Sequence, residues 1–283
     1  GHKSRTKALA NFAGAPLLGC MLGWSMNLFR IRGIRLEVHF SFLLLLAFVA
    51  QEGWSDAGWS GLLWSVATLV AFFACVVLHE LGHSFTAMHF GIGVRRILLM
   101  PIGGMAEFED IPRQPMREFL MTIAGPAVNF VIVGVLWFLP LGGGGDSVAQ
   151  HSLEGLMEQV FIANLVMGCF NLLPAFPMDG GRILRALLAT RLPYLRATFW
   201  AATVGKVLAG LGVVGALAAP ALNLATEPFY MLAVLFSFIF VAGESEYRAV
   251  KRREIADAHW RMVLARNCTV PPLPVEPPPA LQS

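Results

Sequence analysis

Six long apolar segments dominate this chain, and polar residues are concentrated between them. The segments lie at about 37–51, 61–85, 119–141, 153–174, 197–219 and 228–243. Each approaches the roughly 20 consecutive apolar residues that a helix needs to cross a bilayer. The pattern therefore predicts an all-α polytopic membrane protein with about six transmembrane helices.

The composition agrees with a membrane location. Hydrophobic residues make up 56% of the 283 positions and charged residues only 14%, whereas about 25% charged residues is usual in soluble domains. The net charge of +3 is small, and the chain carries no nucleic-acid-binding motif. The lipid bilayer, not a nucleic acid, is the partner that this composition indicates.

The basic residues lie on alternate connections between the apolar segments. Of the 21 Lys and Arg residues, 20 precede the first segment, follow the sixth, or lie between the second and third or the fourth and fifth. Lysine and arginine in short connections mark the cytoplasmic side of a membrane. Both termini are therefore predicted to be cytoplasmic. Lys206 lies within the fifth segment and either snorkels to the interface or serves an internal cavity.

The two ends of the chain depart from this pattern. Residues 1–25 are interpreted as a leader, a tag remnant or a mobile arm, and residues 26–247 as the membrane core. Residues 248–283 form a predicted cytoplasmic tail that is basic and then proline-rich, and its proline-rich end is expected to be extended or disordered. The alternating pattern of "MNLFRIRGIRLEV" predicts a short strand at the entry to the first segment.

The second apolar segment ends in the sequence HELGH. On a helix His79 and His83 share one face about 6 Å apart along the axis, so that both imidazoles can bind one zinc ion. Glu80 points to the side, where its carboxylate can hold a water molecule. Cys75, one turn earlier, is a remote ligand candidate. The alternative is a pair of interfacial histidines, with Glu80 reaching the lipid headgroups.

A second candidate stretch, "NLLPAFPMDGGR", ends the fourth apolar segment. Pro174 and Pro177 interrupt helical hydrogen bonding there. Non-helical backbone at membrane depth is tolerated only where it is buried in protein or lines a water-filled cavity. Asp179, which follows the prolines, is well placed to be a third metal ligand.

Taken together, these two motifs closely resemble those of the site-2 protease family of intramembrane zinc metalloproteases. The hallmarks of that family are H-E-x-x-H on one core helix and a downstream D-G motif on another, and the resemblance runs from about Met26 to Arg253. It implies that His79, His83 and Asp179 coordinate one zinc ion per chain and that Glu80 is the catalytic base. The implied activity is zinc-dependent endopeptidase cleavage of membrane-embedded regulatory proteins, within or near their transmembrane segments.

Two further stretches are similar to the family pattern. In "GPAVN", residues 125–129, the resemblance suggests that Asn129 faces the site and binds the substrate carbonyl or oxyanion; an interhelical hydrogen bond is the alternative. The stretch 95–110 looks like a small membrane-associated β hairpin, bent at Gly103 and Gly104, whose free edge would bind substrate as an added strand. An ordinary interfacial loop is the alternative there.

The resemblance also implies partners and a location. The substrate would be a transmembrane protein, in prokaryotes an anti-sigma or pro-sigma type regulator, and an accessory regulator would fit as well. The location would be the bacterial inner membrane, and the one-sided distribution of basic residues predicts that the active site lies toward the cytoplasmic side. Two other classes stay open: a different membrane zincin with a glutamate as third ligand, and a non-enzymatic metal transporter or sensor, which has no need for Glu80 beside the metal.

Overall fold

The computed structural model describes residues 25–101, 103–109, 114–139, 152–221 and 227–267. These residues form four strands and six helices: β1 Ser25–Ile31, β2 Ile34–His39, α1 Phe40–His89, β3 Val94–Met100, β4 Gly103–Phe108, α2 Pro115–Trp137, α3 Leu153–Asn171, α4 Asp179–Ala189, α5 Tyr194–Ala218 and α6 Tyr230–Asn267. All but the last residue of the predicted leader, and the proline-rich end, lie outside the described residues.

Five of these helices, α1, α2, α3, α5 and α6, are long and apolar enough to cross a membrane. The first of them contains two helices, because the backbone leaves helical geometry at Ala57 (φ −139°, ψ 26°) and Gly58 (φ 60°, ψ −134°). The rings of Phe42 and Phe73 lie only 4.7 Å apart, so the chain reverses at this turn. The first two predicted spans are therefore the arms of one helical hairpin, and the predicted mostly helical membrane fold is confirmed.

The arms of the α1 hairpin approach each other at two glycines. A Cβ atom on Gly53 would lie 2.6 Å from the carbonyl oxygen of Gly61, and a Cβ on Gly61 would overlap the backbone of Gly53. Both contacts are closer than any real Cβ tolerates, so neither position accepts a side chain without moving the arms apart.

The β structure is larger than the predicted single hairpin. Four strands form one sheet in the order β1-β2-β3-β4, with antiparallel outer pairs and a parallel central pair. The predicted short strand at the entry to the first span is two strands joined by a turn at Arg32 and Gly33, both of which have positive φ. The α1 hairpin is the connection between β2 and β3, which a parallel pair requires.

One face of the sheet packs against α1. The buried contact brings strand residues together with residues of the second arm of α1: Ile34, Leu36, Val38, Ile97, Leu99, Phe73, Val76 and Leu81. Because this core fixes the sheet against α1, the outer strand β4 is held beside the helix that carries the HELGH sequence.

Charged groups tie the four strands together. Glu37 Oε2 accepts hydrogen bonds from Ser25 Oγ at 2.9 Å and from Arg96 Nη1 at 2.8 Å, while Arg96 Nε donates to Glu107 Oε2 at 2.7 Å. Burial raises the pKa of the Glu37 carboxyl, but the hydrogen bonds from Arg96 and Ser25 outweigh it and hold that pKa below its usual value. Glu37 is therefore a carboxylate with partners on both neighbouring strands.

The described residues fall into two compact units, the first comprising residues up to Pro174 together with Met178–Thr190. The second unit comprises Ala175–Pro177 and the chain from Arg191 onward, including α5 and α6. Within it, Lys206 Nζ donates to Glu244 Oε2 at 2.9 Å. Lys206 thus has a partner that its position within an apolar segment did not reveal.

The last helix continues well beyond the predicted span at 228–243, because α6 runs to Asn267. The basic first part of the predicted tail is therefore helical as far as that residue. Its Glu, Arg and Ala residues are good helix formers, and Arg248 Nε donates to Glu244 Oε1 at 2.7 Å across one turn. The run of apolar residues stops at the end of the predicted span, whereas residues that favour a helix continue beyond it.

The hairpin contact yields a stability test. Replacing Gly61 with Ala should destabilise the protein by about 1–3 kcal/mol, because the added methyl group overpacks the contact with Gly53. Gly134→Ala is the matched control, since Gly134 is also helical and nothing lies within 4 Å of the place that a Cβ atom would take there. Thermal unfolding in detergent would measure both variants, and equal midpoints would contradict the tight crossing.

Candidate metal centre

Three buried or half-buried side chains converge in the first unit. His79 and His83 come from the second arm of α1, and Asp179 is the first residue of α4. The two Nε2 atoms lie 3.2 Å apart, and Asp179 Oδ2 lies 3.3 Å from Nε2 of His79 and 3.1 Å from Nε2 of His83. The three ligand atoms therefore form a nearly equilateral triangle.

This triangle fits a zinc ion. With zinc–ligand bonds of about 2.0–2.1 Å, two ligand atoms of a tetrahedral site are separated by about 3.3 Å. The three observed separations, 3.1 to 3.3 Å, agree with that value. Two imidazoles and a carboxylate are also donors that zinc accepts, and three protein ligands leave a fourth position for water or substrate.

Hydrogen bonds on the far side of each imidazole set its tautomer. His79 Nδ1 is 2.8 Å from Asn129 Oδ1, and His83 Nδ1 is 2.8 Å from the carbonyl oxygen of Met121. Both oxygens accept, so each Nδ1 carries the proton and donates. Each Nε2 is then left with its lone pair facing the triangle, which is the arrangement that orients histidine ligands in metal sites.

A glycine keeps the space in front of these ligand atoms open. Gly125 lies on α2 one turn from Met121 and one turn from Asn129. A Cβ atom at this position would overlap Nε2 of His83 and would lie 2.8 Å from Nε2 of His79. Any side chain would therefore occupy the volume that a metal ion needs.

Asp179 reaches the triangle through a break in the helical chain. Helix α3 ends at Asn171, and α4 begins at Asp179 after a non-helical segment. A Cβ on Gly180 would overlap the carbonyl oxygens of Leu172 and Leu173, so a glycine is needed for this close approach.

The strand β4 lies beside Glu80. A Cβ on Gly104 would be 2.8 Å from Cγ of Glu80 and 3.0 Å from Cγ1 of Val76, so at this position the strand approaches the helix with its backbone. Gly103, which begins the strand, has φ 134°, a conformation that favours glycine. β4 is at the end of the sheet order, and its outer edge is unpaired with any described strand.

Comparison with known proteins places this geometry in a family. Residues 67–145 and 140–212 match the family model described as Peptidase family M50, which together is more than half of the chain. The chain belongs to peptidase family M50. The resemblance to site-2 proteases that the two motifs indicate is thereby confirmed.

Individual M50 relatives agree with this assignment. A zinc metalloprotease of Methanocaldococcus jannaschii is 36% identical over 232 residues, which are 81% of this chain and 62% of the relative. Stage IV sporulation protein FB of Bacillus subtilis is 32% identical over 156 residues, which are 55% of this chain and 52% of the relative. The chain thus spans about three fifths of the length of the first relative and about half of the length of the second.

A solved M50 structure shares the fold. The site-2 protease from Methanocaldococcus jannaschii superposes with a TM-score of 0.54 at 36% sequence identity, covering 79% of this chain and 95% of that chain. The membrane helices with a small sheet therefore belong to the architecture of this family.

The remaining titratable candidates of this M50 chain do not join the triangle. Cys75 is buried with a free thiol, and it does not belong to the group of described side chains that could hold a metal ion, which consists of His79, His83 and Asp179. His39 caps the start of α1, where its Nδ1 accepts from Ser41 N. The role of Gly125 was missed by sequence reasoning, although its four-residue spacing from Asn129 on one helix is a signal that places both on the same face.

Gly125 provides a test of the centre that leaves every ligand in place. Gly125→Ala should lower zinc content by about tenfold or more, because the methyl group would occupy the space beside both Nε2 atoms. Metal analysis of the purified protein would measure the loss. Gly134→Ala on the same helix is the matched control and should keep its zinc; full occupancy in Gly125→Ala would argue that the metal is bound elsewhere.

Proposed function

We propose that this chain is a zinc-dependent intramembrane endopeptidase that cleaves membrane-embedded regulatory proteins within or near their transmembrane segments. The observation that carries the proposal is the triangle of His79, His83 and Asp179, with separations suited to zinc and with Glu80 adjacent in the sequence. Membership of peptidase family M50 and the names of the relatives support it.

The roles of the ligands follow from their surroundings. His79, His83 and Asp179 would hold one zinc ion per chain, with the two imidazoles oriented by their bonds to Asn129 and Met121. When bound, zinc would supply Lewis acidity toward a carbonyl oxygen and would lower the pKa of a coordinated water to about 7. The bonds at Nδ1 leave both Nε2 lone pairs free to bind the metal.

Glu80 is the proposed general base. It is half-buried, follows the ligand His79 directly, and lies against the backbone of β4 at Gly104. Its carboxylate would accept a proton from the attacking water and deliver it to the leaving amine. A metal transporter or sensor would have no use for a carboxylate at this position.

The edge of β4 is the proposed substrate platform. A peptide bond within a membrane helix is shielded by its own hydrogen bonds, so the substrate must unwind locally before cleavage. The unpaired backbone groups of β4 would replace those bonds by strand addition. Because Gly104 brings this strand against Glu80, a peptide added at the edge would be delivered to the base.

Asn129 has two proposed roles. The family resemblance suggests that its amide binds the substrate carbonyl or oxyanion, and that role stays a prediction. Its Oδ1 accepts from His79 Nδ1, and the side chain is 0% exposed. These contacts favour orientation of His79 as its first function.

The proposed substrate is a transmembrane regulator of the anti-sigma or pro-sigma type, with an accessory regulator as a further partner. The proposed location is the bacterial inner membrane, with both termini cytoplasmic and the active site toward that side. The one-sided distribution of basic residues supports this orientation.

Glu80→Gln separates an enzyme from a metal-binding protein without activity. The variant keeps nearly the same shape but loses the base, so cleavage of a membrane substrate should fall by a factor of about 10²–10⁴ while zinc content persists. Glu52→Gln, an exposed change at the far end of the first arm of α1, is the matched control. Chelator-sensitive cleavage at the wild-type rate by Glu80→Gln would defeat the proposed mechanism.

The orientation has its own test. With the native cysteines replaced, Glu227→Cys should react with a membrane-impermeant maleimide added outside intact cells, whereas Arg191→Cys should react only after permeabilisation, since the positive-inside rule places Arg191 in the cytoplasm. Gel-shift detection would report both. The opposite labelling pattern would invert the topology.

A further inference from the structure

A buried ion pair lies outside the metal triangle and has no part in the chemistry described above. Glu118 Oε1 on α2 accepts hydrogen bonds from Arg185 Nε at 2.8 Å and from Arg185 Nη2 at 2.5 Å on α4. The side chains of Glu118 and Arg185 are only 1% and 2% exposed. These two charges are therefore held almost completely away from solvent.

The pair joins the two helices that complete the metal centre. Glu118 lies three residues before Met121, whose carbonyl oxygen holds His83, and the same helix carries Gly125 and Asn129. Arg185 lies on α4, whose first residue is Asp179. One partner thus belongs to the helix that orients the histidines, and the other belongs to the helix that supplies the carboxylate.

Helix α4 depends on such contacts for its position. It has 11 residues, a length of about 16 Å at 1.5 Å per residue, which is too short to cross a bilayer. It also follows a non-helical segment, so α3 does not hold it by helical continuity. Gly180 packs on the carbonyl oxygens of Leu172 and Leu173 at one end of α4, and Arg185 binds Glu118 farther along.

The chemistry of the pair suits positioning better than stabilisation. Taking two charges out of water carries a desolvation penalty that their attraction often only offsets, and apolar replacements of buried pairs are frequently neutral or stabilising. Two guanidinium nitrogens, Nε and Nη2, donate to the same carboxylate oxygen, which constrains the distance and the direction of the guanidinium from that oxygen. Such a contact specifies where two helices sit.

We propose that Glu118 and Arg185 are positioning residues, and that their ion pair sets α4 against α2 so that Asp179 Oδ2 lies at ligand distance from both imidazoles. The inference rests on the proposed function in taking zinc as the bound metal. It adds two residues that no feature of the sequence singled out.

The central test removes both charges together. Glu118→Gln/Arg185→Met removes both charges of the pair together, and thermal stability should stay close to wild type because uncharged replacement of a buried ion pair is often neutral. Zinc binding, measured by competition with a chelator, should nevertheless weaken by about 10–100-fold, the range found when groups that support metal ligands are lost. In the cobalt-substituted protein, the visible absorption bands should shift as the carboxylate ligand is displaced.

Lys206→Met is the matched control, because it breaks the ion pair with Glu244 in the second unit. It should leave zinc affinity and the cobalt spectrum unchanged. Wild-type zinc affinity and an unchanged cobalt spectrum in Glu118→Gln/Arg185→Met would overturn the proposal.

A double-mutant cycle asks whether the pair acts through Asp179. In an Asp179→Ala background the two histidines still bind metal weakly, and adding Glu118→Gln/Arg185→Met should cost little further affinity. The same fold-loss in both backgrounds would show that the pair does not act through Asp179, and the proposal would then be wrong.

If the double variant does not fold, Arg185→Lys tests the positioning role instead. It keeps the charge but loses the two-point geometry, so zinc should bind several-fold more weakly with a shifted cobalt spectrum. Wild-type behaviour of Arg185→Lys would refute the positioning role. Failure of the proposed function gives a different result. If the wild-type protein binds no zinc, both proposals are wrong. If the wild-type protein binds zinc and cleaves, and the variants behave like it, only the positioning role is wrong.

Discussion

The close crossing of α1 and α2 is the constraint on which the metal centre depends. Two glycines make it possible, because a Cβ on Gly82 would lie 2.7 Å from the carbonyl oxygen of Ala124 and a Cβ on Gly125 would overlap Nε2 of His83. Small residues allow membrane helices to approach closely, where packing rather than the hydrophobic effect holds them together. At this distance α2 can offer acceptors to both imidazoles and still leave room for a metal ion.

The polar groups around this crossing are paired because the interior would otherwise penalise them. His79 and His83 donate to acceptors on α2, and the Glu118 carboxylate meets the Arg185 guanidinium. Burying an unpaired polar or charged group costs several kcal/mol, so each of these buried side chains is hydrogen-bonded to a partner that is buried with it. The same pairing that makes burial tolerable also fixes where the ligand atoms point.

Reactive function requires interruptions in an otherwise regular helical protein. The break before Asp179 lets a carboxylate enter from a helix that does not continue α3, and the sheet places a free strand edge beside Glu80. A transmembrane helix satisfies its own backbone and offers nothing to a peptide substrate. Of the two outer strands of the described sheet, β1 and β4, it is β4 whose unpaired edge lies beside Glu80, where its backbone groups could bind an extended chain.

The sequence by itself determined the features that depend on neighbouring residues. Hydropathy predicted the membrane segments, and the four-residue spacing put His79 and His83 on one helix face. The prolines near residue 174 predicted the break that precedes Asp179. These are consequences of helical periodicity and of the missing proline N–H, which act within a few residues.

Only the tertiary structure decided which distant residues meet. The parallel pairing of β2 with β3, the bond from His79 to Asn129 and the pair of Glu118 with Arg185 join positions about 50 to 70 residues apart. No local pattern encodes such contacts, because they depend on how close two helices or strands can pack. Gly125 shows the difference most clearly: in sequence it is one glycine among 28, and only the crossing of α1 with α2 turns its missing side chain into space for a metal.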